Sequence, residues 1–380
     1  MIMKSKYLKH FLSMMTLPFI AATGIPTDIK KKAVKRPELK FGADGKFRIL
    51  HITDIHEVDP EMDDDEDRAI PRDKCVEALN VIEKSIERTN PDLVVFGGDN
   101  INGYWEEFDY EYIRKTIEKI TEPVRRRNLP LAIVFGNHDS EIMSNFREFQ
   151  MMLYLQYENF LGCFNAEEMY GCGNYNVKIK SSDGKKDAYN LWFVDSNDYP
   201  YDENGKRLEG YDMVHKDQLD WYEKAEEKIK KENGGKTLPA ILFQHIPVVQ
   251  ELDALIDVDK DDPEAFFMPR EGRYVKLSPE YYISGELAET PCTPGEKGRE
   301  QFELWKKHGD IRAAFFGHDH KNDFVIEMDG IKLVQTFSVG YHTYGDKRGG
   351  RLIILDENEP DNIYTESFTV ERITDTDFGR

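Results

Sequence analysis

Near the carboxyl end of the chain stands the stretch FFGHDH, Phe315 to His320, in which two imidazoles follow a short apolar run with one residue between them. Alone it is ambiguous, because an imidazole can ligate a metal, move a proton or simply hydrogen-bond in a loop. The setting recurs along the chain. FRILHIT leads into Asp54 and His56, LVVFGG into Asp99 and Asn100, LAIVFG into Asn137, His138 and Asp139, AILFQ into His245, and AAFFG into His318 and His320. Carboxylate, carboxamide and imidazole donors without a thiolate suit manganese, zinc or iron rather than copper(I) or an iron–sulfur cluster. Asp54, His56, Asp99, Asn137, His245, His318 and His320 are too many donors for one catalytic ion with an open position. They fit two ions, divalent or mixed-valence, that share a bridging carboxylate.

The elements that must position these residues follow from the apolar pattern. Each donor group ends a continuous apolar run, the mark of a strand buried on both faces. Between the runs, Val76, Leu79, Ile82 and Ile86 recur at helical spacing, and YIRKTIEKITEPVRRR and IMSNFREFQMMLYLQY carry two further helical patterns. Strand and helix in alternation imply a mainly parallel sheet, and ligands of such sheets bind at the carboxyl ends of the strands. Later the pattern changes. YNVKIK and YNLWFVD read as adjacent strands, DQLDWYEKAEEKIKKE as a helix, and Asp329-Gly330 as a hairpin turn between FVIEM and IKLVQTF. A second, mixed sheet packed on the first with helices outside accounts for all of it. Gly97, Gly98, Gly136 and Gly317 then allow backbone to turn sharply out of a strand and lie close to the site.

Composition sets the boundaries. The formal charge of −21 argues against docking on a nucleic-acid backbone, though not against cleavage of a small phosphate ester. Lys4, Lys6 and Lys9 precede an apolar stretch from Phe11 to Ala22 and then small residues, the layout of a secretory signal over residues 1–24. The apolar stretch is too short to span a bilayer, so no stable membrane anchor is expected; the alternative to export is a cytoplasmic protein with an amphipathic N-terminus. Residues 25–45 read as a linker and entry segment, and 46–375 as a single domain. Cys75, Cys163, Cys172 and Cys292 form no CxxC pair, although a disulfide between Cys163 and Cys172 could close the loop CFNAEEMYGC in an exported chain. The acidic run after His56 lacks the spacing of a calcium loop and reads as solvated.

Other residues carry weaker signals. His51 lies within the first strand and is expected to pack in the core. Asn100, beside Asp99, and His342, in the loop SVGYHTYGDKRGG, are candidates for touching substrate, as are Tyr104 and Trp105; Asp195, Asn322 and Asp323 are candidates for bracing ligands.

In this order and at these spacings, DIH, GGDN, GNHD, QH and GHDH resemble the signature of the calcineurin-like metallophosphoesterases, over about residues 46 to 356. PDLVVFGGDNING and GHDHKNDF resemble the branch grouped with purple-acid-phosphatase-like proteins of plants, fungi and bacteria. The resemblance implies a four-layer αββα sandwich, with two mixed β-sheets flanked by helices. It implies that Asp54, His56 and His320 hold one metal, that Asn137, His245 and His318 hold the second, and that Asp99 bridges them. His138 matches the catalytic histidine, with Asp139 placed to orient its ring. In true purple acid phosphatases a tyrosine three residues after the bridging aspartate binds iron; here that position is Asn102, and His56 is retained, so a tyrosinate-bound ferric ion is not expected. The implied activity is hydrolysis of a phosphate ester by a metal-activated hydroxide at a binuclear manganese, zinc or iron centre. A small phosphomonoester is the expected substrate. The alternatives are a phosphodiesterase and a non-catalytic scaffold on the same fold.

Overall fold

The computed structural model of the chain describes residues 36–58, 72–102, 110–141 and 146–371. The expected leader, Tyr104, Trp105 and the acidic run beyond Val58 lie outside them.

One sheet is built on the first apolar runs. β1 (Leu39–Lys40) precedes β2 (Lys46–Ile52), β3 (Leu93–Gly97) and β4 (Leu131–Val134), and β2, β3 and β4 pair in parallel. Helices Arg72–Thr89 and Tyr110–Arg125 make the two crossovers, and helix Phe146–Tyr154 follows β4. The next strands, β5 (Tyr175–Lys180), β6 (Asp187–Phe193) and β7 (Ala240–Phe243), begin a second sheet, with helix Lys216–Glu232 between the last two. A short insertion contributes β8 (Leu255–Asp257), β9 (Phe266–Met268), β10 (Arg273–Leu277) and β11 (Tyr282–Ser284). Helix Glu300–His308 leads to β12 (Ile311–Phe316), the hairpin β13 (Val325–Met328) and β14 (Ile331–Gln335), and finally β15 (Gly349–Asp356) and β16 (Tyr364–Thr369).

The strand order is β16-β15-β2-β3-β4 in one sheet and β1-β5-β6-β7-β12-β14-β13-β11 in the other, with β8-β10-β9 as a small separate sheet. β15 runs antiparallel to β2, and β6, β7, β12 and β14 are parallel in turn, so both large sheets are mixed. The hairpin turn falls on Asp329-Gly330 as its sequence requires, both residues having positive φ.

Pleating divides each apolar run between two cores. From β2, β3 and β4, the residues Phe47, Ile49, Leu93, Val95, Ala132 and Val134 point between the sheets, where they meet Ile241, Phe243, Ala313 and Phe315 of β7 and β12. Their alternates Leu50, Ile52, Val94 and Phe96 pack under helices Arg72–Thr89 and Tyr110–Arg125. On the far side Leu242, Ala314 and Phe316 meet Trp221, Tyr222 and Trp305 of the outer helices. The layers are therefore helix, sheet, sheet, helix. His51 lies between the sheets: its Nδ1 is 3.0 Å from Thr336 Oγ1, and its ring sits 5.4 Å from that of Phe243 and 6.3 Å from that of Phe315. Burial, with help from the Arg351 charge, pulls its pKa down to about 3, so the ring is neutral in the fold.

The sequence pattern does not announce β8 to β10, whose strands are too short to show a period. Cys163 and Cys172, which a disulfide could have joined, are free thiols.

Candidate metal centre

The carboxyl ends of β2, β3, β4, β7 and β12 meet at one place, and backbone hydrogen bonds tie them together. Asp54 N donates to Gly98 O, His56 N to Asp99 O, and Gly317 N to His245 O, at 2.9–3.1 Å. Immediately past the strands the chain turns left-handed at Asp54 (φ 53°), His56 (φ 44°), Asp99 (φ 49°) and His318 (φ 73°). Aspartate and histidine tolerate this region better than most residues, yet each such turn costs on the order of 1–3 kcal/mol and persists only where the surroundings enforce it. Close approach of backbone is equally strict. A Cβ on Gly136 would collide with Asp99 Oδ1, and one on Gly317 with Thr53 Oγ1.

The side chains form two groups that share Asp99: Asp54, His56, Asp99 and His320 in one, Asp99, His245 and His318 in the other. Asp99 Oδ2 lies 3.5 Å from His56 Nε2 and 3.1 Å from His245 Nε2, while its Oδ1 accepts the His138 amide at 2.8 Å. Asp54 Oδ1 lies 3.2 Å from His320 Nε2, and its Oδ2 accepts from Thr53 Oγ1 at 2.8 Å and from the His318 amide at 3.0 Å. Each carboxylate thus has one oxygen fastened and the other presented. Two of the imidazoles are fastened in the same way, His245 through Nδ1 to the Gly97 carbonyl at 2.9 Å and His320 through Nδ1 to Thr343 Oγ1 at 2.7 Å. Tyr344 stacks on His320 with ring centres 4.2 Å apart, and Tyr211 meets His318 edge-on at 4.3 Å.

The presented atoms carry the argument. Asp54 Oδ1, His56 Nε2, Asp99 Oδ2, Asn137 Oδ1, His245 Nε2 and His318 Nε2 are all buried with no hydrogen-bond partner. Leaving one such group unsatisfied costs about 1–3 kcal/mol, so a cluster of them needs an external partner. A pair of hard or borderline cations satisfies every one of these nitrogen and oxygen donors, and the residues fit it. The motif resemblance would assign Asp54, His56, Asp99 and His320 to one cation and Asp99, His245 and His318, with Asn137, to the other.

His138 stands beside the first group, its ring 5.1 Å from that of His56. Its Nδ1 is 2.6 Å from Glu141 Oε2. Burial opposes a charge on this ring, but Asp99 and the Glu141 hydrogen bond outweigh it and raise the pKa. Glu141, also against burial, is lowered by the same contact. The orienting partner is therefore Glu141 and not Asp139 as expected. His138–Ser140 is a single helical turn that swings Asp139 inward, where it accepts from the amides of Gly136, Asn100 and Ile101. Burial and the neighbouring Asp99 push Asp139 up to about 7.

The remaining candidates sort plainly. Asn100 is fully buried, and its side-chain amide donates to the Val134 carbonyl at 3.2 Å, bracing β4. His342 is half-buried on the loop whose Thr343 and Tyr344 touch His320. Asp195 receives Arg147 at 2.8 Å and the Cys172 amide at 2.7 Å. Asn322 and Asp323 hold the loop that begins at Gly285, through the amides of Ala288, Glu289 and Glu286. Asp319, between the two histidines, points away and accepts the Cys292 amide at 3.1 Å. Sequence reading missed Glu141, Tyr199, Tyr211 and Thr343. Only Glu141 left a trace, its three-residue spacing from His138, which places the two on one face of a helical turn.

A double-sheet sandwich that gathers donors for two cations at its strand ends defines a dimetal phosphoesterase fold. The chain belongs to the calcineurin-like phosphoesterase family, whose pattern matches residues 47–322. Members of this family use divalent metals at a dinuclear site. Among curated relatives, the chain is 29% identical over 350 residues to "Probable inactive purple acid phosphatase 29" of Arabidopsis thaliana, spanning 86% of this chain and 80% of that one. It is 27% identical over 344 residues to "Probable inactive purple acid phosphatase 14" of the same plant, spanning 85% and 77%. "Phosphatase DCR2" of Saccharomyces cerevisiae is 29% identical over 296 residues, 75% of this chain and 46% of that one. A solved dimetal phosphatase from Danio rerio shares the fold, with a TM-score of 0.52 and 14% identity over 86% of this chain and 98% of that one.

Proposed function

We propose that this protein is a metal-dependent hydrolase of a small phosphate monoester. The observation that carries the reading is the convergence of partnerless buried donors from separate strand ends beside a histidine held in one orientation. Asp54, His56, Asp99 and His320 would hold one cation, and Asp99, Asn137, His245 and His318 the other. When bound, such a pair neutralises phosphoryl oxygens and acidifies water. The chain's own residues do the rest. His138, engaged at Nδ1, would give a proton from Nε2 to the departing alkoxide oxygen. The amide of His138 on Asp99 Oδ1 keeps the acid and the shared carboxylate in fixed relation. Tyr344 and Tyr211 flank the histidine pair and restrict how a substrate enters. Export through residues 1–24 belongs to the same reading.

The names of the plant relatives favour a second reading, a scaffold that binds metal without turnover. Against it, the chain keeps His56, His138 and the full donor set, while Asn102 stands where a purple enzyme has its tyrosine. Loss of purple chemistry therefore need not mean loss of hydrolysis. Metal analysis paired with hydrolysis of p-nitrophenyl phosphate and bis-p-nitrophenyl phosphate separates the readings. We expect two equivalents of metal and a preference for the monoester; diester preference would replace the substrate class, and bound metal with neither activity would establish the scaffold.

A further inference from the structure

The loop that follows β6 is bolted to the turn carrying Asn137 and His138, and the fastening has a direction. Asn137 Nδ2 donates to Tyr199 Oη at 2.9 Å, and Tyr199 Oη donates to Glu141 Oε1 at 2.8 Å. Glu141 Oε2 lies 2.6 Å from His138 Nδ1. Glu141, a carboxylate, can only accept, so Tyr199 gives it its one proton and is left to accept, which turns Asn137 Nδ2 towards it. For the same reason His138 must donate from Nδ1. This chain of bonds sets the orientation of the carboxamide and the tautomer of the imidazole together. Asn137 has its nitrogen engaged and must present Oδ1, the atom found without a partner. His138 has its Nδ1 engaged and must present Nε2.

Independent contacts hold the loop in place. Ser140 Oγ bonds the Asn137 carbonyl at 2.8 Å and Asp198 Oδ2 at 2.5 Å. Arg147, buried, pairs with Asp195 at 2.8 Å and Asp198 at 3.2 Å. The Arg207 guanidinium covers the Tyr199 ring at 3.1 Å and reaches to 4.0 Å from Glu141 Oε1. Tyr199 itself is buried.

We propose that Tyr199 and Glu141 are a pair of positioning residues that lock the Asn137 carboxamide and the His138 ring into one joint arrangement, so that cation binding by Asn137 and proton delivery by His138 are set by a single device. The metal part of this inference stands on the donor set alone, and the proton part rests on the phosphoesterase reading above. Partners of this kind behind a metal ligand are typically worth ~10–100-fold in affinity or activity.

The test uses the full chain, stripped of metal and titrated with Mn²⁺ by calorimetry, and p-nitrophenyl phosphate kinetics on the metal-loaded protein. For Tyr199→Phe we expect the first equivalent of Mn²⁺ to bind as in the wild type and the second ~10–100-fold more weakly, with kcat lowered by a similar factor and KM little changed. Glu141→Ala should lower kcat alike, and Glu141→Gln, which keeps an acceptor, should recover part of the loss. Tyr199→Phe that binds both equivalents with wild-type affinity, or Glu141→Ala with wild-type kcat, would overturn the proposal. A measurement on the wild type needs no variant to fold: the ¹H–¹⁵N histidine spectrum should show His138 protonated at Nδ1, and an unprotonated Nδ1 also overturns it. Should the wild type cleave neither ester while Tyr199→Phe still loses its second Mn²⁺, the phosphoesterase reading fails and the positioning of Asn137 stands.

Discussion

The two large sheets contribute unequally to the centre. The strand ends of β2, β3 and β4 supply both carboxylates, the carboxamide and His138, with His56 as their only imidazole ligand. The ends of β7 and β12 supply imidazoles alone, His245, His318 and His320. Neither sheet holds a complete ligand set for either cation. The centre is therefore a property of the docked sandwich, and the aromatic and aliphatic layer between the sheets, including Phe243 and Phe315, sets its geometry as much as the ligands do.

The largest break in this comparison is Asp99→Ala. It removes the one oxygen that faces both groups from the acidic side. Since loss of a mere supporting contact costs about 10–100-fold, both equivalents of metal should bind more weakly than that, read by calorimetry against Mn²⁺. His138→Ala separates holding from turnover within the same sheet. Two equivalents of metal should remain while kcat falls by ~10²–10⁴, checked by metal analysis and ester hydrolysis on one sample.

Phe315→Ala tests the seam directly. A fully buried ring between the sheets is lost, and stability should fall by ~3–5 kcal/mol in denaturant unfolding. Mn²⁺ affinity should fall with it although no ligand is touched. The smallest effect sharpens the same point through His51. Its pKa is about 3 in the fold against an ordinary 6.5, so below pH 6.5 the unfolded chain binds the extra proton and stability drops as pH falls towards 3. Between pH 7 and pH 5 this amounts to roughly 2 kcal/mol. Unfolding of His51→Gln at both values should show that much less pH dependence than the wild type.

The strands and their terminal donors were legible because both leave local marks, an unbroken apolar run and a polar residue directly behind it. The four-layer arrangement followed from the same runs. What hid from the sequence is carried by contacts between distant segments. Tyr199 lies 58 residues from Glu141, and Thr343 lies 23 from His320, with no pattern linking them. Asp139 was misassigned for a related reason. Adjacency suggested a partnership with His138, but one turn of helix sends neighbouring side chains to different sides, and the residue three further on inherits the role. Asn100 shows the same inward turn, its side-chain amide drawn to the Val134 carbonyl.

Asp54, His56, Asp99 and His318 sit in backbone conformations that few residue types accept. Those types, aspartate, asparagine and histidine, are also the ones whose short polar tips coordinate hard and borderline cations. Main-chain tolerance and coordination chemistry thus filter for the same small alphabet at these positions. An attempt to retune the centre towards a softer ion by installing cysteine, or towards a looser cage by lengthening an arm to glutamate, would meet resistance from the peptide itself before any question of metal preference arose. Substitution at His245 or His320, where no such backbone restriction applies, is the more open route to altered ion selectivity.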